Sequence, residues 1–313
     1  MSTQKMQELA ERLGSGLLSF PVTTFDAQGE FDAARYREHL DWLSGYEVAG
    51  LFAAGGTGEF FSLTHDEVRQ TIKLAIEGAN GRVPILGPAG GSTRNAQQLA
   101  RLAEESGAEG ILLFPPYLTE TAQEGLVDHV RAVAASTSLP IIVYGRANAV
   151  LQPQTLARIV ETCPNVIGYK DGVGDLELLS RIIATVGDRL LYIGGLPTAE
   201  TLAVPYLELG VTTYSSAMFN FVPEFALDFY RSVRAGDRDD VNRRLREFVL
   251  PYIEIRDRGA GYAVSIVKAG LDAVGRYGGP VRPPLVNLRD EERADLAKLV
   301  ATIEAAKLAG AVG

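Results

Sequence analysis

The sequence is poor in the residues that build disulfide frameworks and metal centres. Its single cysteine, Cys163, excludes an internal disulfide and has no cluster around it to suggest a metal site. The three histidines, His39, His65 and His129, are far apart and make no pair at helical ligand spacing, so zinc chemistry and a Ser-His-Asp arrangement lack support. Positive charge is also short: 30 Lys and Arg against 39 Asp and Glu give a formal net charge of -9. That balance argues against nucleic acid or an anionic membrane as a partner. The densest basic stretch, residues 242–246, sits in a helical pattern and reads as a solvated face. No apolar run reaches the length of a membrane span. The opening residues lack the basic-then-apolar order of a secretory leader, which predicts a cytoplasmic protein.

What is present is the composition of an ordinary globular protein, 46% hydrophobic and 22% charged over 313 residues. Short apolar runs at 16–22, 48–54, 83–87, 110–114, 140–144, 166–169, 190–193 and 211–214 read as strands. Helical patterns follow each of them, at 32–43, 64–78, 93–106, 124–136, 152–162, 175–186, 198–209 and 223–234. Asp32 is placed as an N-cap, and Thr64 with Glu67 has capping-box spacing. Eight β-α units imply a parallel sheet with right-handed crossovers, and about 220 residues suit a closed (β/α)8 TIM barrel. An open doubly wound sheet is the runner-up, but its first strand should end in a phosphate-binding glycine loop, and here it ends in Phe20-Pro-Val-Thr-Thr24. Beyond Arg234 only helices are predicted, at 238–257, 261–273 and 289–308. The expected division is therefore a catalytic barrel over 1–235 and a C-terminal three-helix extension over 236–313.

One residue breaks the strand pattern. Lys170 ends the apolar run 166–169, where another apolar side chain is expected. Lysines are seldom buried without a partner. It either snorkels to solvent or pairs with Asp171, or it sits in a dry pocket as a free amine able to attack a ketone.

Active sites of such barrels lie at the C-terminal strand ends. Those ends carry Gly55-Gly-Thr-Gly-Glu59, Pro115-Pro-Tyr117, Tyr144-Gly-Arg146, Lys170-Asp171, Gly194-Gly195 and Ser215-Ser216. Tyr144 and Lys170 fall on adjacent strands, about 5 Å apart at the backbone. A phenol there can relay the protons of imine formation. Gly56, Thr57 and Gly58 form a loop whose amides suit a carboxylate, although a tight turn would explain the same glycines. Arg146, Ser215 and Ser216 are candidates for a second carboxylate and hydroxyls. Gly195 makes room, and Glu59 reads as structural.

Together, Gly55-Gly-Thr-Gly-Glu59, Pro116-Tyr117, Gln123-Glu-Gly125, Tyr144 and Gly168-Tyr-Lys-Asp171 resemble the dihydrodipicolinate synthase / N-acetylneuraminate lyase family over nearly the whole chain. The resemblance implies a Schiff-base lysine at Lys170, a catalytic tyrosine at Tyr144 and α-keto acid carboxylate binding at Gly56 and Thr57. It also implies a homotetramer built as a dimer of dimers. Three departures stand against the synthase itself: Gly56-Thr57 in place of Thr-Thr, Leu118 in place of a second tyrosine, and Ala147-Asn-Ala149 where that enzyme's substrate-binding arginine is found. The strings Phe20-Pro-Val-Thr-Thr-Phe25, Gly55-Gly-Thr-Gly-Glu-Phe-Phe61 and Tyr144-Gly-Arg-Ala-Asn148 are instead similar to the branch acting on 5-dehydro-4-deoxy-D-glucarate.

The implied activity is dehydration and decarboxylation of that α-keto sugar diacid to 2,5-dioxopentanoate, with no metal or organic cofactor. The competing readings are a class I aldolase or lyase on a 2-keto-3-deoxy sugar acid, a dihydrodipicolinate synthase-like enzyme, and a non-catalytic keto-acid-binding protein on the same scaffold.

Overall fold

The computed structural model describes residues 2–116 and 120–310. Leu118 lies outside the described residues. Eight strands run parallel in sequence order: β1 (Leu18–Ser19), β2 (Gly50–Phe52), β3 (Ile85–Ala89), β4 (Gly110–Leu113), β5 (Ile141–Gly145), β6 (Val166–Asp171), β7 (Leu191–Gly194) and β8 (Thr213–Tyr214). A parallel bridge between Leu18 and Ser215 joins the last strand to the first, and the Ser216 amide bonds the Leu18 carbonyl at 2.9 Å. The barrel of the sequence pattern is thus present and closed. β1 is far shorter than the predicted run 16–22; beyond its C-terminal end Pro21 has no N–H to give a neighbouring strand.

Among the described residues, thirteen α-helices accompany the strands. They are α1 (Thr3–Gly14), α2 (Ala33–Leu43), α3 (His65–Ala79), α4 (Thr93–Glu105), α5 (Gln123–Ala134), α6 (Pro153–Thr162), α7 (Leu176–Val186), α8 (Ala203–Glu208), α9 (Pro223–Ala235), α10 (Arg238–Arg244), α11 (Leu250–Arg256), α12 (Tyr262–Ala273) and α13 (Asp290–Gly310). The caps form as the sequence predicts. Asp32 accepts from the Arg35 amide, and Thr64 and Glu67 satisfy each other's backbone amides at the start of α3. Two expected helices are irregular. Only the second half of 198–209 is α-helical, after a 3-10 turn at Ala199–Leu202. Between α10 and α11 the chain widens into a π turn, Leu245–Val249, just before Pro251, which cannot donate to the helix ladder.

Strand residues alternate between two apolar layers. Leu18, Phe20, Phe52, Leu86, Leu112, Ile142, Tyr144 and Ile193 fill the barrel, whereas Leu51, Ile85, Ile111, Val143 and Tyr169 face the surrounding helices. The sequence pattern did not predict α1. Its Leu9 and Leu13 close the N-terminal end of the barrel interior. Gly50 leaves the space for this plug, since a Cβ there would lie 2.4 Å from a Leu13 methyl. The spacing of Met6, Leu9, Ala10 and Leu13 is the helical signal that marks it. No described helix is long and apolar enough to cross a membrane.

Candidate active site

Tyr144 and Lys170 are register partners on β5 and β6, so both side chains point into the barrel at its C-terminal mouth. Lys170 is only 4% exposed. Its Nζ donates to the Gly195 carbonyl at 2.9 Å and lies 3.9 Å from the centroid of the Tyr144 ring. Among the described residues no carboxylate is within ion-pair distance of this amine. Asp171, its neighbour, turns away and accepts from the Tyr206 hydroxyl at 2.9 Å and from the Val173 and Gly174 amides. Burial therefore dominates and holds the Lys170 amine below its ordinary pKa, which favours the uncharged nucleophile. Solvent snorkelling and pairing with Asp171 are both excluded by this geometry.

The Tyr144 hydroxyl donates to the same Gly195 carbonyl at 3.1 Å and accepts from Arg146 Nη1 at 3.2 Å. Burial pushes the phenol up, but the adjoining Lys170 and Arg146 charges outweigh it, and the net direction is down. Gly195 serves the lysine more than it widens the pocket: a Cβ there would sit 2.6 Å from Lys170 Cγ and 2.7 Å from Nζ.

The loop after β2 is bracketed by two residues in the left-handed region, Ala54 (φ 49) and Glu59 (φ 58). Such strain persists only where the surroundings enforce it. The Phe60 amide bonds the Gly55 carbonyl at 3.1 Å, and Thr23 donates to the Gly58 carbonyl at 2.6 Å. Glu59 is fully buried. Its Oε1 meets Lys268 Nζ of α12 at 2.6 Å, and Oε2 accepts from the Arg282 amide at 3.0 Å. The carboxylate thus ties the loop to the C-terminal helices, in keeping with a structural role.

A cavity of about 390 Å³ opens over Lys170. Gly56, Thr57, Tyr144, Arg146, Lys170, Gly195 and Ser215 all border it. Gly58 and Ser216 do not. Gly58 is packed into the turn, where a Cβ would meet the Pro21 carbonyl at 2.9 Å. Ser216 points the other way and donates to the buried Glu200 Oε1 at 2.5 Å.

Sequence reasoning missed several of the walls. Phe20 and Phe114 line the cavity, with Phe114 edge-on to Tyr144 at 5.7 Å. Both are the last apolar residues before a proline at a strand end, a signal that was available. More unexpectedly, Gly261, Ala263, Val264 and Leu285 also border it, so the helical extension forms part of the site. Each histidine has a neutral partner: Asn220 for His39, Asn95 for His65 and Thr93 for His129. Cys163 is buried and free.

The geometry has counterparts in known proteins. The model of the dihydrodipicolinate synthetase family matches residues 14–303. A probable 5-dehydro-4-deoxyglucarate dehydratase from Saccharopolyspora erythraea is 61% identical over 305 residues, covering 97% of this chain and 99% of its own. A protein of the same description from Bradyrhizobium diazoefficiens is 58% identical and covers 97% of both chains. Among solved structures, dihydrodipicolinate synthase from Bacillus clausii shares the fold, with a TM-score of 0.87 at 21% identity over 95% of this chain and 99% of its own. YagE, a prophage protein of the dihydrodipicolinic acid synthase family from E. coli K12 in complex with pyruvate, has a TM-score of 0.83 at 26% identity over 93% and 98%. The chain belongs to the dihydrodipicolinate synthetase family.

Proposed function

We propose that this protein is a 5-dehydro-4-deoxyglucarate dehydratase, a decarboxylating hydro-lyase that works through a Schiff base on Lys170. The relatives' names supply the substrate. The observation that carries the chemistry is the Lys170 amine, shielded from water and from carboxylates, against Tyr144 on the floor of a cavity that also holds Arg146.

The substrate is a six-carbon diacid with a ketone beside one carboxylate, then a methylene, then two hydroxyl-bearing carbons. Lys170 adds to the ketone and water leaves, giving an iminium that acidifies the methylene. Tyr144 takes a methylene proton, and the C–H electron pair forms the enamine. That enamine expels the β-hydroxyl as water, leaving a conjugated iminium. The bond to the far carboxylate then breaks, carbon dioxide departs, and its electron pair flows into the conjugated system. Tautomerisation and hydrolysis release 2,5-dioxopentanoate and restore the amine. Overall, the diacid gives the dioxo acid, one water and one carbon dioxide.

In this scheme the Gly56 and Thr57 loop holds the carboxylate beside the ketone, and Arg146 with Ser215 holds the far end. The cavity-lining positions of Gly56, Thr57, Arg146 and Ser215 support these roles. The resemblance to the family supports a homotetramer, which light scattering on the purified protein would test. It also supports dividing the chain into a catalytic barrel over 1–235 and an extension over 236–313, the extension here bearing part of the cavity wall.

The decisive experiment is incubation with 5-dehydro-4-deoxy-D-glucarate, following carbon dioxide and 2,5-dioxopentanoate together. Release of pyruvate and a smaller aldehyde would instead establish the aldolase reading. Borohydride should trap an adduct at Lys170, and Lys170→Met should abolish both adduct and turnover. A Lys170→Met protein that still turns over would sink the scheme.

A further inference from the structure

Arg146 stands two residues beyond Tyr144. On a strand that spacing puts both side chains on one face. The chain then turns sharply: the Ala149 amide bonds the Arg146 carbonyl at 2.9 Å, with Ala147 left-handed at φ 51. The guanidinium is thereby held back against the phenol and donates to its oxygen at 3.2 Å.

The other groups facing the phenol can be named strand by strand. From β6 comes Lys170, with Asp171 beside it committed to Tyr206 and the Val173 and Gly174 amides. After β4 comes the Phe114 ring, and after β7 the Gly195 carbonyl. Among the described residues, Lys170 and Arg146 bring positive charge to the hydroxyl. Lys170 must shed its charge to attack a ketone, whereas a guanidinium stays charged at every working pH. Arg146 is therefore the constant cation at the oxygen that receives the proton.

We infer that Arg146 is a positioning residue for the base: its hydrogen bond orients the Tyr144 oxygen and stabilises the phenolate that removes the methylene proton. This rests on the Schiff-base reading above and goes beyond it, because Arg146 then acts even on a substrate with no far carboxylate to hold. In the step concerned, the C–H bond of the iminium breaks and its electron pair forms the enamine. The proton passes to the Tyr144 oxygen, whose negative charge the guanidinium had been stabilising. The direction of the Tyr144 shift, below the ordinary phenol despite burial, agrees.

Pyruvate is the probe, since it has one carboxylate and a methyl group in place of the methylene. Exchange of its methyl protons for deuterium is measured by NMR as a function of pD for the wild type, Arg146→Met, Arg146→Lys and Tyr144→Phe. Tyr144→Phe should remove the rising limb that belongs to the phenol. Arg146→Met should move that limb up by about one unit, the size expected on losing a nearby opposite charge, and Arg146→Lys by less. An unmoved limb in both arginine variants overturns the inference and leaves Arg146 only the far carboxylate. Borohydride trapping of pyruvate on the same samples keeps the two ideas apart. A wild-type protein with no adduct at Lys170 removes the Schiff-base reading itself, whatever the exchange profile shows.

Discussion

The Lys170 amine and the Tyr144 hydroxyl donate to one acceptor, the Gly195 carbonyl oxygen, at 2.9 and 3.1 Å. A single backbone atom thus sets the separation between the amine and the phenol. It can do so because residue 195 has no side chain to displace the lysine. Gly195→Ala would place a Cβ 2.6 Å from Lys170 Cγ and from the Asp171 carbonyl. Turnover should fall on the order of a hundredfold, as expected for a misplaced reacting group, and the thermal midpoint should fall as well, because the Asp171 carbonyl is backbone that must shift. Steady-state kinetics and the rate of borohydride trapping check this together; wild-type values for both would remove the carbonyl from the positioning of the pair.

Gly56 has the opposite surroundings. Nothing lies within 4 Å of a Cβ built there, and the residue borders the cavity. Gly56→Val should therefore fold normally yet intrude on the substrate. The expected result is a loss on the order of tenfold in kcat/KM for the six-carbon diacid and slower trapping of pyruvate at Lys170, since both carry the carboxylate beside the ketone. Wild-type rates for both compounds would remove Gly56 from the binding of that carboxylate.

The Glu59–Lys268 pair is buried on both sides, 0% and 2% exposed at the side chains. Lys268→Met removes the cation paired with this buried carboxylate, which costs about 3–5 kcal/mol when such a pair is broken from one side. Adding Glu59→Gln should recover most of that loss, because no unpaired charge remains. Urea unfolding of the two variants tests the idea, and equal stability of single and double variants would contradict it.

Glu200 predicts a pH dependence. Burial pushes its carboxyl up to about 7 from 4.5, with the Ser216 hydroxyl opposing the shift. The folded state therefore keeps a proton that the unfolded chain gives up. Stability from this group is fully present below the unfolded pKa and is lost as pH rises through the folded one, by about 3 kcal/mol in total. Glu200→Gln should flatten the stability profile between pH 5 and 8 relative to the wild type. A difference between the two proteins that does not change with pH would show that Glu200 is not the group responsible.

How far the site could be read from the sequence is clearest in its two buried lysines. Lys170 is a cation where the strand pattern expects an apolar residue. Lys268 breaks the apolar run of α12 in the same way, and nothing local separates the two. Both are held below the ordinary lysine pKa, by burial first. What differs is the company: Lys268 has the Glu59 carboxylate at 2.6 Å, while Lys170 has a carbonyl, an aromatic face and open cavity. Ser215 and Ser216 make the same point. Adjacent residues on an extended chain face opposite ways, so one borders the cavity and the other bonds Glu200.

By itself the sequence determined the β-α alternation, hence the barrel, the end of it that carries the chemistry, and the adjacency of Tyr144 and Lys170. Those follow from local periodicity and from the one way consecutive parallel units pack. Only the tertiary structure decided that α1 plugs the barrel, that residues from α12 and its neighbourhood wall the cavity, and that Arg146 turns back onto the Tyr144 hydroxyl. These contacts join positions far apart in the chain or depend on a turn's geometry, and short-range pattern has no term for either.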